Sequence, residues 1–319
     1  MDFGISLGGY SLWEIFPFMA IVLGALWVDL KAHNADKPVS IKNAIVWSSI
    51  WVTISLGFAG FIGLVHGSEK ASLFLSGYLL EKSLSVDNLF VFMAIFASFG
   101  IKQAYQHRIL YFGIIGALVL RFLFIGFGTG LAMLSPYVLL IFGLIVLWSA
   151  YAMWKGSNDD DKEEVDYTKH WAVRFANKFW PTYPKVENHN FFTVQNGVKM
   201  ITPLFLALCV VEISDVVFAF DSVPAVIAIT QDPFLVYTSN IFAILGLRSM
   251  YFVLEAANKY LVHLEKAVIA ILVFIGGKMI VSFAGFHISA NASLAIVLGA
   301  LALGIIASFV LPKKEEESN

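Results

Sequence analysis

Nine apolar stretches of bilayer length constrain this chain more than any other feature. They run at approximately 12–30, 43–65, 71–98, 107–132, 136–154, 200–229, 235–256, 265–284 and 290–311. A hydrocarbon core of ~30 Å needs about 20 apolar residues to be crossed by a helix. In lipid every backbone polar group must be satisfied within the protein, which leaves helices or closed barrels. The expected fold is an all-α polytopic membrane protein of about nine transmembrane helices. Composition agrees, since 59% of the 319 residues are hydrophobic and 14% are charged, against about 25% charged in soluble domains. The mean hydropathy is +0.78. A net charge of −2 without a basic patch argues against nucleic acid as a partner, and membrane lipid is the expected surrounding. Cys209 is the single cysteine, so no disulfide framework is expected. No basic n-region precedes the first apolar run, so no cleaved signal peptide is expected.

Lysine and arginine set the orientation, because they accumulate on the cytoplasmic side. Of the 21 basic residues, 16 fall in the loops after spans one, three, five and seven or in the C-terminal tail. Lys70 is alone on the opposite side, and Lys82, Arg121, Arg248 and Lys278 lie inside spans. The N-terminus is therefore expected outside and the C-terminus in the cytoplasm.

Within the spans the chain repeats itself. Glu81-Lys-Ser-Leu-Ser-Val-Asp87-Asn88 corresponds to Asp215-Val-Val-Phe-Ala-Phe-Asp221-Ser222, with six positions between the acids in each. One span on, Arg121 in GALVLR corresponds to Arg248 in AILGLR, and on the third span Tyr151 stands opposite Lys278. Spans three to five (71–154) form one unit and spans six to eight (200–284) the other. Three is odd, so the two units are expected to be inverted, an arrangement that puts a transporter's site between the copies. Residues 12–65 and 290–311 are then peripheral in a single transmembrane domain. The cytoplasmic loop 155–199 is read as an acidic linker at 158–166, a short interfacial helix between Trp171 and Trp180, and a hairpin around Asn196-Gly197.

Nine ionisable residues sit well inside the spans: Glu81, Asp87, Glu212, Asp215 and Asp221 against Lys82, Arg121, Arg248 and Lys278. Unpaired, at ~3 kcal/mol each, they would cost roughly 27 kcal/mol, several times a typical folding stability. Most must pair or bind a cation. Arg121 and Arg248 are the natural clamps, because a guanidinium stays charged and holds a carboxylate by two hydrogen bonds. Lys82 and Lys278 either pair likewise or release a proton as a site fills. Pro224 has no amide hydrogen and takes the helical donor from the Phe220 carbonyl, so α-helical unwinding there would free an oxygen ligand.

All seven histidines fall in loops or at span ends, and Cys209 reads as a small buried apolar residue. The membrane core thus offers oxygen alone: carboxylates, the Asn88 amide, the hydroxyls of Ser222, Ser214, Ser83 and Ser85, and freed carbonyls. Such a set suits Mn²⁺, Ca²⁺ or Mg²⁺ and argues against Zn²⁺ or Cu⁺. On an unbroken helix Glu81 and Asn88 share a face while Asp87 lies about 120° away. Convergence of all four acids would need local unwinding, for which Pro224 supplies a reason in the second copy only.

EKSLSVDN at 81–88, EISDVVFAFDSVPA at 212–225 and TSNIFAILGLRSMYF at 238–252 resemble the TerC family, with the greatest likeness to its Alx-type members. The resemblance also takes in Trp51-Val-Thr-Ile-Ser and Phe274-Ile-Gly-Gly-Lys-Met, and covers roughly residues 20–310. It implies an integral inner-membrane protein of bacteria that exports manganese, with related members linked to calcium handling and to membrane-protein biogenesis. It implies metal ligation by Glu81, Asp87, Asp215 and Asp221. Tellurite is an anion, so a carboxylate-lined site is not expected to take it.

The function expected from these readings is a secondary transporter that moves Mn²⁺ out of the cytoplasm, in exchange for protons that a bound dication would displace from buried carboxylates. Glu81, Asp87, Asn88, Asp215, Asp221 and Ser222 are the expected metal residues. Glu212, Phe220, Arg121, Arg248, Lys82 and Lys278 support them. The alternatives are a Ca²⁺ exchanger of the same architecture and a non-transporting membrane scaffold or insertion factor. An intramembrane hydrolase is disfavoured, because no nucleophile–histidine arrangement lies within the spans. No prosthetic group is expected, and the sequence sets no oligomeric state.

Overall fold

The structure is a computed structural model. It describes residues 6–7, 10–32, 40–158, 167–183, 190–195, 197–257, 263–283, 285–286 and 288–310. The acidic run at 159–166 and the charged tail at 311–319 lie outside the described residues.

Two short strands, β1 (Ser6–Leu7) and β2 (Tyr10–Ser11), lead into α1 (Leu12–Ala32). Helices α2 (Ile41–His66), α3 (Ser68–Ser98), α4 (Gln103–Leu134) and α5 (Pro136–Asn158) follow with very short connections. Ser40 caps α2 by accepting from the Asn43 amide at 3.3 Å, and Gly67, at φ +90°, turns α2 into α3 within one residue. Beyond α5 come α6 (Trp171–Phe179), β3 (Phe192–Gln195) and β4 (Val198–Ile201). Then come α7 (Pro203–Ile229), α8 (Pro233–Ile244), α9 (Leu247–Ala257), α10 (Leu264–Phe283) and α11 (Ala290–Val310). Pro203 and Pro233 each sit at a helix start, where a missing amide hydrogen costs nothing. Asp232 caps α8 by accepting from the Phe234 and Leu235 amides.

Among the described residues, six helices are long and apolar enough to cross a membrane: α2, α4, α5, α7, α10 and α11. Large apolar side chains cover the outside, with Leu64 90% exposed and Phe16, Phe127 and Trp148 each about 70% exposed. In water such a surface would drive association; against acyl chains it is matched. The hairpin and α6 form as the sequence predicts. α6 buries Ala172, Val173 and Ala176 against α7 and leaves Trp171, Phe175 and Phe179 open beside Arg174 and Lys178.

The expected break at Pro224 and the expected single span at 235–256 are both corrected. α7 continues through Pro224 to Ile229, and α3 runs unbroken for 31 residues. The interruption lies instead in the stretch expected as one span at 235–256, which is two helices, α8 and α9, parted at Leu245–Gly246. Gly246 has φ +82°, and a Cβ there would lie 2.5 Å from Trp51 Cδ1. The break is therefore a place where α2 presses its indole into the backbone, and only glycine fits.

The helices bury their sides in three clusters. One, around Leu89, Ile95, Val210 and Tyr251, joins α3, α4, α7 and α9 and rests on α6. A second, around Leu80, Ile125, Val226 and Ile275, joins α3, α4, α5, α7 and α10. A third, around Phe58, Phe74 and Phe242, ties α1 and α2 to α3 and α8. Small residues let the axes approach. Gly143 of α5 and Gly276 of α10 meet the side chains of Met279 and Leu147 across one crossing, and Gly113 and Gly128 of α4 meet Val211 and Val223 of α7.

Candidate functional site

At the seam where α3, α4, α7 and α8 meet, the buried charges are assembled around Arg121. Its side chain is 1% exposed, in the middle of α4. It grips Asp215 of α7 with two hydrogen bonds, Nη2 to Oδ1 at 3.0 Å and Nε to Oδ2 at 3.3 Å. Its Nη1 donates to the Glu81 carboxylate of α3 and, at 3.4 Å, to Oδ1 of Asn240 on α8. Glu81 and Asn240 are wholly buried. One guanidinium thus cross-links four helices. Its fork matches a carboxylate in a way an ammonium does not.

The valence around this cluster is not filled. Glu81 Oε2 and Asn240 Nδ2 are buried with no hydrogen-bond partner among the described residues. A buried polar atom without a partner costs about 1–3 kcal/mol. Asp215 also borders a cavity of about 20 Å³ that it shares with Arg248, Gly113 and Ala117, room for one water-sized particle.

Glu212 lies one turn before Asp215 on α7. Its carboxylate sits directly against α4, where a Cβ at Gly116 would come within 2.0 Å of Oε1, and its Oε2 is buried without a partner among the described residues. Lys82 points away from the acids. Its Nζ donates to the carbonyls of Ala243 at 3.1 Å and Leu245 at 3.4 Å, the oxygens exposed where α8 stops. Arg248 is buried beside Asp215. Lys278 is half-buried on α10, and among the described residues no ion pair joins it to Glu81 or Asp215.

Of the expected metal residues, the structure therefore brings Glu81 and Asp215 together, but through Arg121 rather than around an open cage. Asn88 and Ser222 are buried on α3 and α7. Asp87 and Asp221 belong to the backbones of α3 and α7, and their side chains lie outside the described residues. Among the described residues no three histidine, cysteine or acidic side chains are grouped as a metal centre. The hydroxyls of Ser83, Ser85 and Ser214 each donate to the carbonyl four residues back on their own helix. The Phe220 side chain is 56% exposed and packs on Phe124, and continuity of α7 keeps its carbonyl within a helix.

Asn240 was not among the residues singled out by sequence. The signal was available: Thr238, Ser239 and Asn240 are three successive polar residues in an apolar run, and all three are fully buried. Thr238 and Ser239 bond their own helix, which leaves Asn240 to face Arg121.

The model of the Integral membrane protein TerC family matches residues 66–316. The chain belongs to the TerC family. It is therefore a multi-pass integral membrane protein. Within that family it is 48% identical to tellurium resistance protein TerC of Serratia marcescens, over 97% of this chain and 96% of that one. It is 41% identical to the chloroplastic thylakoid membrane protein TERC of Arabidopsis thaliana, over 91% of this chain and 73% of that one. Alx of Escherichia coli (strain K12), provisionally named a membrane-bound redox modulator, is 39% identical over 94% of this chain and 95% of that one. The greater likeness is thus to TerC proteins of the tellurium-resistance type than to Alx. No solved structure matches the chain. The TerC match begins within α2 and takes in every helix that contributes to the Arg121 cluster.

Proposed function

We propose that this TerC-family protein is a secondary transporter, not an enzyme, that exports Mn²⁺ from the bacterial cytoplasm across the inner membrane in exchange for protons. Glu81, Asp87, Asn88, Asp215, Asp221 and Ser222 take the ion between two inverted three-helix units. The observation that carries this reading is the meeting of Glu81 and Asp215 in the buried seam, with Glu81 Oε2 left without a donor. Oxygen ligands from carboxylates, an amide and a hydroxyl suit a hard dication, and an acid at membrane depth is a functional group by default.

The helix packing supports the inverted halves. If α3, α4 and α5 correspond to α7, the α8–α9 pair and α10, exchanging the units maps the α3–α8 contact onto the α4–α7 contact. It maps α3–α7 and α5–α10 onto themselves, and all four pairs are packed. The number of crossings between the N-terminus and α8 in that topology draws support from the ends, while the choice of side rests on the lysine and arginine distribution. Tyr10 donates to Asp232, and Lys70 bonds both Tyr10 at 2.8 Å and Asp232 at 3.3 Å. These contacts draw the N-terminal strands, the α2–α3 turn and the α7–α8 turn to one side, as that topology requires.

The test is uptake of ⁵⁴Mn²⁺ into proteoliposomes with a proton-sensitive dye inside. Wild type should move Mn²⁺ with an opposing proton flux, and Asp87→Asn, Asp215→Asn and Asp221→Asn should not. Transport of Ca²⁺ in preference to Mn²⁺ would reassign the cargo; no metal movement by wild type would remove the reading.

A further inference from the structure

We propose that Arg121 is a tethered stand-in for the transported cation: it fills the carboxylate pair when no metal is bound, and a dication must displace it. This rests on the transporter reading above and assigns a residue the task of setting charge selectivity and of returning the empty carrier.

The argument begins with charge. Glu81 and Asp215 face one another across a seam closed to water. Two carboxylates at such a place repel each other and are expensive to desolvate. Arg121 offsets that with one positive charge, leaving the trio at −1. A dication in its place leaves the carboxylate pair neutral, and the released guanidinium must then carry its charge to another partner. A monovalent ion would leave the same −1 as Arg121 while providing none of its four hydrogen bonds to Asp215, Glu81 and Asn240. A divalent ion therefore recovers more of what displacing Arg121 costs than Na⁺ or K⁺ can. Only an arginine can hold this post, because its guanidinium does not lose its proton.

The unfilled valence points to a second arrangement of the same atoms. Among the described residues Glu81 Oε2 and Asn240 Nδ2, on the two groups that share Arg121 Nη1, have no hydrogen-bond partner of their own. Asp215 meanwhile borders the 20 Å³ cavity shared with Arg248, so a carboxylate held by Arg121 also adjoins a space of single-ion size. The displacement also has a consequence for cycling. A carrier emptied of metal must cross back with its acids compensated, and a side chain attached to α4 does that without leaving the protein.

The experiment is Mn²⁺ titration by electron paramagnetic resonance on the intact, detergent-solubilised protein, paired with two transport assays in proteoliposomes. Arg121→Gln removes the competitor, so Mn²⁺ should bind about tenfold more tightly or better, and added Na⁺ should begin to compete. Net export should fall at least about tenfold, because the empty carrier can no longer return, while exchange of ⁵⁴Mn²⁺ for unlabelled Mn²⁺ persists. A residue that merely props the site open would give weaker Mn²⁺ binding on substitution, and that result overturns the proposal. So does folded Arg121→Gln with unchanged binding and net export. If Arg121→Gln does not fold, Arg121→Lys takes its place: it keeps the charge and loses the fork, and should bind Mn²⁺ more tightly than wild type by a smaller factor, weaker or equal binding overturning the proposal. Wild type that binds and moves no Mn²⁺ would instead remove the transporter reading, a separate outcome.

Discussion

Lys82 of α3 donates to the carbonyls of Ala243 and Leu245, where α8 ends and α9 has not yet begun. A helix end leaves unsatisfied carbonyls, which in the membrane have no water to turn to. The lysine that sequence placed among candidate clamps for carboxylates is instead the cap of an interrupted helix, at the favourable negative end of its dipole. Lys82→Met keeps the apolar stem and removes the donors. It should destabilise by about 1–3 kcal/mol, read as a lower thermal unfolding midpoint in detergent, while Lys82→Arg should recover most of the loss.

The same break depends on Gly246. Its φ of +82° and the indole of Trp51 within 2.5–2.9 Å of a built Cβ both exclude alanine. Gly246→Ala should cost about 1–3 kcal/mol from backbone strain and more from the clash. Trp51→Ala should remove the ring contacts but keep the Cβ at position 51, 2.9 Å away, and the positive φ, so the double variant is expected to regain only part of the loss relative to Gly246→Ala in a thermal melt.

Gly116 and Glu212 form a tighter lock. No conformer of a larger residue at 116 leaves the Glu212 carboxylate where it is. Gly116→Ala should destabilise by about 1–3 kcal/mol. Gly130→Ala on the same helix, which meets nothing within 4 Å, should be neutral or gain up to about 1 kcal/mol. Adding Glu212→Ala to Gly116→Ala should rescue it. Equal effects at 116 and 130 in unfolding assays would contradict the packing described.

Arg121 has two acids, and either one alone still compensates it. Glu81→Gln or Asp215→Asn singly should therefore be tolerated better than both together, which leave a buried charge unpaired at a cost of about 3–5 kcal/mol. A double-mutant cycle on unfolding free energy should show a coupling of about 0.5–3 kcal/mol, the double variant being worse than the sum. Additive losses would mean the three groups are not one cluster.

The side shared by Tyr10, Lys70 and Asp232 is open to chemical mapping. In a Cys209→Ser background, Lys70→Cys and Gln231→Cys should react with an impermeant maleimide added to whole cells. Lys178→Cys, on α6, should react only once the membrane is opened. The reverse pattern would invert the orientation proposed.

The amino-acid sequence determined the membrane-spanning class, the helical intervals, the hairpin and the amphipathic α6. These depend on the length and period of apolar runs, which the bilayer reads one segment at a time. It also marked Glu81, Asp215 and Arg121, because a charge in an apolar span stands out whatever surrounds it. What it could not assign was who meets whom. Arg121 and Arg248 occupy matching places in the repeat expected from sequence, yet the approach of α3, α4, α7 and α8 decided that Arg121 gathers Glu81, Asp215 and Asn240. Proline at 224 predicted a break where packing on both sides holds α7 together, and the break went to Gly246, where Trp51 of a distant helix fills the gap and Lys82 takes up the carbonyls. Partners of buried polar groups are chosen by contacts far apart in the chain, and local propensity carries no record of them.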